Sequence, residues 1–169
     1  MSDTRERVRA HVREDPGVHF SDLRRALDIA PGQAQYHLRR LVDDGGLVED
    51  ALYGQTHYYP PSYDPWERRA LALLRRETSA DVVACLLDDG PLPPATVAER
   101  VGIARSTLSW HVARLTEAGV LVRDESGADL TLRVARPAAT ARLLRRAEPT
   151  LPGRLVDRFT RLVDDLLEE

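Results

Sequence analysis

The sequence predicts a mainly helical α+β protein that is built from two consecutive copies of one small unit. Three observations support this prediction. The 169 residues are enough for two small domains, the chain repeats itself at an offset of 74 residues, and each copy shows three helical stretches followed by two short extended ones. With 43% apolar and 30% charged residues, the composition is that of a folded globular protein.

The repeat appears as matched residues along both copies. Nine of the 28 positions between residues 23 and 50 are identical to those between residues 97 and 124. Because there are only two copies, we interpret them as tandem domains and not as a solenoid. The identical residues of the first copy are Ile29, Ala30, His37, Arg40, Leu41, Gly45, Leu47, Val48 and Asp50.

The first two helices of each copy are predicted from periodicity and from turn residues. The first helix is expected at 4–14 and at 80–88, and it ends in both copies at a turn with glycine and proline. The second helix is expected at 21–27, with Ser21 as its N-cap, and at 94–101. A short turn then follows, as between the two helices of a helix-turn-helix.

A third helix is expected at about 31–43 and 105–117. Each carries apolar residues at the i, i+4, i+7 spacing of one buried stripe, and each stops at a glycine. Two extended segments around a turn follow, at 47–59 and 121–134, and predict a β-hairpin in each copy. Three helices and a hairpin make a winged helix-turn-helix domain. The predicted fold is therefore two tandem winged helix-turn-helix domains followed by C-terminal amphipathic helices.

The third helices and the segments after them resemble the winged-helix transcription regulators of the ArsR and MarR kind, especially their tandem archaeal forms. The resemblance covers most of residues 1–136 and is carried by 34–48 and 105–122. It is closer in the second copy, which opens its third helix with Ser106-Thr107-Leu108-Ser109 where the first has Gly32-Gln33-Ala34-Gln35. The resemblance implies that each third helix enters the major groove of DNA and that each wing lies over the backbone or minor groove.

Helical geometry indicates which side chains could contact DNA. A step of about 100° per residue turns the polar residues of the third helices away from the buried stripe. Glutamine can read adenine, hydroxyl groups can bind bases or phosphates, and arginine can bind guanine or phosphate. The alternative is that these faces are simply solvated. The predicted DNA-binding residues are Pro31, Gly32, Gln33, Gln35, Tyr36, Arg39 and Arg40, then Gln55 and His57 on the first wing, and Arg105, Ser106, Thr107, Ser109, Trp110 and Arg114 in the second copy.

Four further side chains allow two interpretations each. The aligned Tyr36 and Trp110 either contact thymine methyl groups or sugars, or fold back as partly buried core. The aligned His37 and His111 are expected to pack between helices or contact phosphate and not to bind metal, because no acid or cysteine stands at ligand spacing from them. No metal or cofactor is predicted.

Cys85 is the one cysteine of the chain, so no disulfide can form within it. It lies in an apolar run, where a buried hydrophobic residue is expected and a redox sensor is the alternative.

The two wings differ in charge. The second contains Asp124, Glu125 and Asp129, and acids at a wing tip repel phosphate, whereas the family usually has basic residues there. Between Tyr53 and Tyr59 the first wing has no acid. We therefore predict that the first copy binds DNA at least as firmly as the second.

The chain is predicted to consist of domains at 1–61 and 62–136 and of C-terminal helices at 137–169. The proline-rich segment from 60 to 65 sets the first boundary. A helix at 66–78, with two pairs of arginines, either packs the two domains together or is a solvated spacer, and its arginines could also reach phosphate.

The C-terminal segment is predicted to form two amphipathic helices. The second of them carries an apolar stripe that must be buried. We expect it to pair with the same helix of another chain in a homodimer, and packing on its own second domain is the alternative. The two helices are expected at 138–146 and 151–167.

Composition bears on the origin and location of the protein. All 24 basic residues are arginine, which points to a GC-rich genome, and the excess of aspartate suits a salt-loving microbe. No apolar run reaches the roughly 18 residues of a membrane span, and the start of the chain lacks a signal peptide's apolar stretch, so a cytoplasmic protein is expected. The net charge of −3 gives no global attraction to nucleic acid, so binding must depend on local arginines.

The predicted function is a sequence-specific, double-stranded DNA-binding transcription regulator that acts as a homodimer. The alternative is a winged-helix chromatin or protein-docking module without sequence readout. An enzyme is not expected, because the sequence has no glycine-rich phosphate loop and no nucleophile with a base in motif context. Whether a small-molecule effector exists is left open.

Overall fold

The computed structural model describes residues 3–147, which form two compact units that divide after Ala72. The first unit is a three-helix domain with a small sheet, and a fourth helix crosses the division. Its elements are α1 (Asp3–Glu14), β1 (Val18–His19), α2 (Phe20–Leu27), α3 (Pro31–Asp43), β2 (Val48–Leu52), β3 (Gln55–Tyr59) and α4 (Pro65–Leu74).

The second unit repeats the same order of helices and hairpin and adds one described helix. Its elements are α5 (Glu77–Asp89), α6 (Pro94–Val101), α7 (Arg105–Glu117), β4 (Leu121–Asp124), β5 (Thr131–Val134) and α8 (Pro137–Ala147). Two winged helix-turn-helix domains in tandem are thus the fold, as the sequence predicts.

The core of the first domain forms where the apolar faces of its three helices meet. Val8 and Val12 of α1, Leu23 of α2, and Leu38 and Leu41 of α3 are all at most 2% exposed. The apolar positions of α3 recur at the spacing of a single helical face, so burying them turns the opposite, polar face of α3 outward. The predicted stripe of the third helix is confirmed.

Both third helices end in the same backbone motif. The N–H of Gly45 donates to the carbonyl of Val42, and the N–H of Gly46 donates to that of Leu41. The second domain repeats this pair of bonds at Gly119 and the residue after it. Gly45 and Gly119 have φ of 75° and 77°, which only glycine adopts at little cost. The predicted stop at each glycine is confirmed.

The first domain has a three-stranded antiparallel sheet in the order β1-β3-β2. Tyr53 and Gly54 form the two-residue turn between β2 and β3, and both have positive φ, as a type I′ hairpin requires. The pairing of β1 with β3 was not predicted, because two residues are too few to show an alternating pattern. The second domain has an equivalent isolated bridge between Leu92 and Leu132 beside the β4-β5 hairpin.

Helix α2 begins one residue earlier than predicted and has a different cap. The side chain of His19 caps the helix, because its Nδ1 accepts a hydrogen bond from the N–H of Ser21 at 3.3 Å. The expectation that Ser21 is the N-cap is therefore wrong. Imidazole can act as an acceptor here, a role that sequence preferences assign mainly to Ser, Thr, Asp and Asn.

The helix predicted at 66–78 is two helices. Helix α4 ends at Leu74 and α5 begins at Glu77, and the intervening Arg76 has extended backbone angles. Helix α4 itself begins with a capping box, in which Asp64 accepts from the N–H of Glu67 at 2.8 Å and Glu67 accepts from the N–H of Asp64 at 3.0 Å.

Helix α4 docks on the hairpin of the first domain. The hydroxyl of Tyr59 donates to the carbonyl of Arg68 at 2.7 Å, and Nε of Arg68 donates to Asp50 at 3.1 Å. These bonds attach the first part of α4 to the first domain, and the compact units accordingly divide after Ala72, within α4. The sequence instead predicts a boundary after residue 61.

The C-terminal part of the chain is described as far as residue 147. Helix α8 matches the helix predicted at 138–146 to within a residue at each end. The helix predicted at 151–167 lies outside the described residues. Among the described residues, no helix is both long enough and apolar enough to span a bilayer.

Candidate nucleic-acid interface

The outer face of α3 presents the polar residues that the sequence predicts to bind DNA. Gln33, Gln35, Arg39 and Arg40 are exposed, opposite the buried Leu38. Pro31 and Gly32, at the start of the helix, are exposed as well. The N-cap residue of α3, Ala30, makes no side-chain cap and the first turn of the helix contains no acid, so its partial positive charge is not offset by these residues. This face can therefore offer amide groups, guanidinium groups and a helix N-terminus to an anionic partner.

Tyr36 lies on the exposed side of α3. Its side chain is 58% exposed, and its ring meets that of His37 edge to face at 5.2 Å. The guanidinium carbon of Arg40 lies 5.8 Å from the centre of the ring. Of the two interpretations of Tyr36, the geometry favours surface contact, because a partly buried core residue would be covered by a neighbouring helix.

Helix α7 repeats this arrangement with different residue types. Arg105, Ser106, Thr107 and Ser109 are exposed, and Trp110 is 46% exposed. The N-cap residue of α7, Ala104, makes no side-chain cap, and the first turn of the helix has no acid.

Arg114 is held against Trp110. Its guanidinium carbon lies 3.7 Å from the centre of the Trp110 ring, which is a close cation–π contact. This contact restricts the guanidinium group before any partner arrives, while the equivalent Arg40 lies farther from Tyr36.

His111 packs between helices. Its Nδ1 is 3.1 Å from the hydroxyl oxygen of Ser79 on α5, and its ring meets Trp110 at 4.8 Å. Burial, together with the charges of Arg76 and Arg114, holds the pKa of His111 below its usual value. In residues 3–147 there is no cluster of three His, Cys, Asp or Glu residues that could bind a metal ion.

The first wing offers Gln55 but not His57. Gln55 is exposed beside the turn, whereas His57 is 8% exposed. Nδ1 of His57 donates to the carbonyl of Gly17 at 2.7 Å, and its ring meets that of His19. The predicted DNA contact of His57 is corrected, because its side chain is buried, bonded to the Gly17 carbonyl and in contact with the His19 ring.

The second wing keeps its acids at the loop between β4 and β5. Glu125 and Asp129 are exposed. Asp124 accepts a hydrogen bond from the N–H of Ser126 at 2.9 Å and another from its hydroxyl, and these bonds lower the pKa of the Asp124 carboxyl. Asp124 therefore shapes the turn, while the other two acids present negative charge to whatever approaches the wing.

Cys85 is 4% exposed in α5, beside buried Val82 and Leu86. Its Sγ lies 4.0 Å from Asp89. The position agrees with that of a small buried hydrophobic residue.

Two residues next to α3 were not singled out from the sequence. Glu49 of β2 and Tyr58 of β3 stand opposite each other in the hairpin and line a cavity beside α3. The alternation of side chains along β2 and β3 could have placed Glu49 and Tyr58 on the same face of the hairpin. Only the packing of α3 shows which residues that face contacts.

The two repeated sets of three helices and a hairpin define this chain as a protein with two helix-turn-helix domains. Residues 2–71 match a family described as "N-terminal HTH domain", and residues 73–124 match a family described as "Helix-turn-helix domain". The two matches meet where the structure divides into compact units.

A relative has been found in Methanocaldococcus jannaschii, where it is named as an uncharacterized HTH-type transcriptional regulator. It is 22% identical over 127 residues, which cover 75% of this chain and 32% of the relative. The chain thus spans about a third of the length of this relative. Together, the fold and these similarities support a DNA-binding regulatory protein.

Proposed function

We propose that this protein is a transcription regulator that recognises specific sequences in double-stranded DNA. The observation that carries the proposal is the pair of aligned helices, α3 and α7, which bury one apolar stripe and expose side chains suited to base and phosphate contacts. An α-helix fits the major groove of B-form DNA, and amide and guanidinium groups match the edges of adenine and guanine.

Local charge supports DNA binding although the chain is acidic overall. Within the described residues, neither Arg39 nor Arg40 forms an ion pair with a carboxylate, so both charges can meet phosphate. Asp44, just beyond α3, is instead paired with Arg5 of α1. This pairing reduces the opposition of Asp44 to the exposed arginines of α3, whereas Asp43, unpaired within residues 3–147, stands one turn from Arg39.

The more detailed parts of the proposal rest on the resemblance to winged-helix regulators of the ArsR and MarR kind and on the amino-acid composition. We propose a cytoplasmic regulator of the ArsR or MarR kind from a salt-loving archaeon. We also propose a homodimer formed through the stripe at 151–167, which would set two recognition surfaces on half-sites about 34 Å apart.

A selection from a random duplex library tests sequence-specific binding. The full chain is expected to enrich one motif with two related half-sites in the presence of excess unrelated duplex, because base contacts add to phosphate contacts. Footprinting on the selected site should show a bounded protected region. Uniform coating of the duplex would instead support the chromatin alternative, and absence of duplex binding would support the docking module.

The first domain should contribute at least as much to DNA binding as the second. Replacing Gln33 and Gln35 with alanine is expected to weaken binding to the selected duplex by about tenfold or more, because two base contacts of α3 are lost. The matched change is Thr107→Ala with Ser109→Ala at the aligned positions of α7, and it should have an equal or smaller effect, since the acidic second wing opposes close approach. A clearly larger loss from the α7 pair would contradict the prediction. Equilibrium fluorescence anisotropy on the full chain measures both.

A further inference from the structure

The first domain contains a cavity of about 260 Å³ between α3 and the β2-β3 hairpin. Its helical wall consists of residues at the i, i+3, i+4, i+7 spacing of a single face, with Asp43 at the end. Its other wall is the cross-strand pair of Glu49 and Tyr58, whose side chains lie on the same face of the hairpin. The lining residues are Gln35, Leu38, Arg39, Val42, Asp43, Glu49 and Tyr58.

The cavity combines a buried apolar floor with opposite charges. Leu38 is 2% exposed and Val42 is half-buried, while Asp43 and Glu49 bring two carboxylates and Arg39 brings one guanidinium. Arg39 and Asp43 are one turn apart, or about 6 Å along the helix axis. Neither forms an ion pair within residues 3–147. Both charges are thus available to a bound molecule.

Tyr58 supplies the second indication of a ligand site. Its side chain is 7% exposed and lines the cavity, yet its hydroxyl has no hydrogen-bond partner among the described residues. The hydroxyl oxygen keeps contact with solvent and is not bonded to any described residue, so it is available to a polar ligand that enters the cavity. Burial and the charge of Glu49 both raise the pKa of Tyr58, so the hydroxyl keeps its proton and can donate it in a hydrogen bond.

We propose that this cavity binds a small zwitterion of the α-amino acid class. Asp43 and Glu49 hold the ammonium group, Arg39 and Gln35 hold the carboxylate, and Leu38 with Val42 receives an apolar side chain. The closely spaced opposite charges on one helix match those of an amino acid. The volume is just below the range of about 300–1,000 Å³ that holds drug-sized ligands, and the two carboxylates disfavour a phosphate.

An occupied cavity would also reduce DNA binding, a step that rests on the proposed function. Gln35 and Arg39 line the cavity and are also predicted DNA contacts. A ligand that engages them withdraws them from the duplex, and by thermodynamic linkage the duplex lowers the affinity for the ligand by the same factor. The cavity would then be an effector site of the regulator.

Isothermal titration of the full chain with each of the twenty standard α-amino acids, in the absence of DNA, tests the site. We expect saturable binding of at least one amino acid with an apolar side chain. Glu49→Gln and Tyr58→Phe should each weaken it by about tenfold or more, because the first removes a charge that holds the ammonium group and the second removes a hydrogen-bond donor to the ligand. Glu14→Gln, an exposed acid of α1 outside the cavity, is the matched control and should leave binding unchanged.

The outcomes separate the site from its effect on DNA. Failure of all twenty amino acids to bind at 10 mM would overturn the inference, as would binding that neither variant weakens. Circular dichroism checks that both variants stay folded, and Tyr58→Phe keeps the buried ring. When a binding amino acid is added to the protein–duplex complex, duplex affinity should fall at least threefold. An unchanged affinity would overturn the link to DNA but not the site, whereas absence of duplex binding by the ligand-free protein would overturn the proposed function alone.

Discussion

Removal of both guanidinium groups from the exposed face of α3, by Arg39→Ala with Arg40→Ala, is expected to weaken duplex binding by about 100-fold at low salt. Each charge-assisted hydrogen bond contributes about 1.5–3 kcal/mol, so the loss of two bonds at the lower end of this range already gives a change of this size. Both side chains are exposed and neither pairs with a carboxylate in the described part of the chain, so little of the effect should come from the fold.

The salt dependence distinguishes phosphate contacts from base contacts. If both arginines bind phosphate, the slope of log affinity against log salt should become shallower by about one for each arginine. Fluorescence anisotropy on the selected duplex at several salt concentrations measures both the affinity and the slope. An unchanged slope with a large loss of affinity would indicate that the two arginines read bases instead.

The neighbouring arginine pair on α2 provides a control. Arg24→Ala with Arg25→Ala removes the same charge from the same domain, and Arg25 already lies 3.5 Å from Asp22. We expect this variant to lose only a few-fold in affinity. Equal losses from the two pairs would mean that overall charge, and not the face of α3, determines binding, and would count against the proposed recognition helix.

Leu41→Ala should reduce the free energy of unfolding of the first domain by about 2–5 kcal/mol. Leu41 is fully buried where α3 meets the other helices, and truncation leaves a cavity that the surrounding side chains fill only in part. Urea unfolding followed by circular dichroism measures the change. Because domains commonly have total stabilities of only about 5–15 kcal/mol, this loss should be visible as an early transition.

Two further variants provide a comparison and a control for this stability prediction. Leu115→Ala at the aligned and equally buried position of α7 should destabilise the second domain by a similar amount. Arg39→Ala, on the exposed face of α3, should change unfolding by less than about 0.5 kcal/mol. A Leu41→Ala protein as stable as the unsubstituted chain would show that α3 does not pack as described, and the assignment of its exposed face would fail with it.

Local patterns were the most reliable guide to the fold. Helices α3, α6 and α7 begin and end at the predicted residues, because a buried stripe and a following glycine both act within a few residues. The cap of α2 and the break between α4 and α5 were missed. A histidine cap is outside the usual preferences, and at the break Arg76, with no glycine or proline at that point, adopts an extended backbone.

The candidate interface was predictable in its helices and less so in its wing. Exposure of Gln33, Gln35, Arg39 and Arg40 follows from helical geometry alone once the buried stripe is known. The burial of His57 does not follow from local geometry. It depends on Gly17, which is 40 residues away in the chain, and on a two-residue strand that has no sequence signature.

The sequence by itself determined the duplicated helix-turn-helix plan, the buried stripes and the polar faces of α3 and α7, because periodicity and backbone preferences are properties of short stretches of chain. The tertiary structure decided that His57 is covered, that α4 docks on the first hairpin, and that Glu49 and Tyr58 form a cavity with α3. Each of these depends on which distant residues are brought into contact, and a side chain's burial or its access to a partner is set by those contacts and not by its neighbours in sequence.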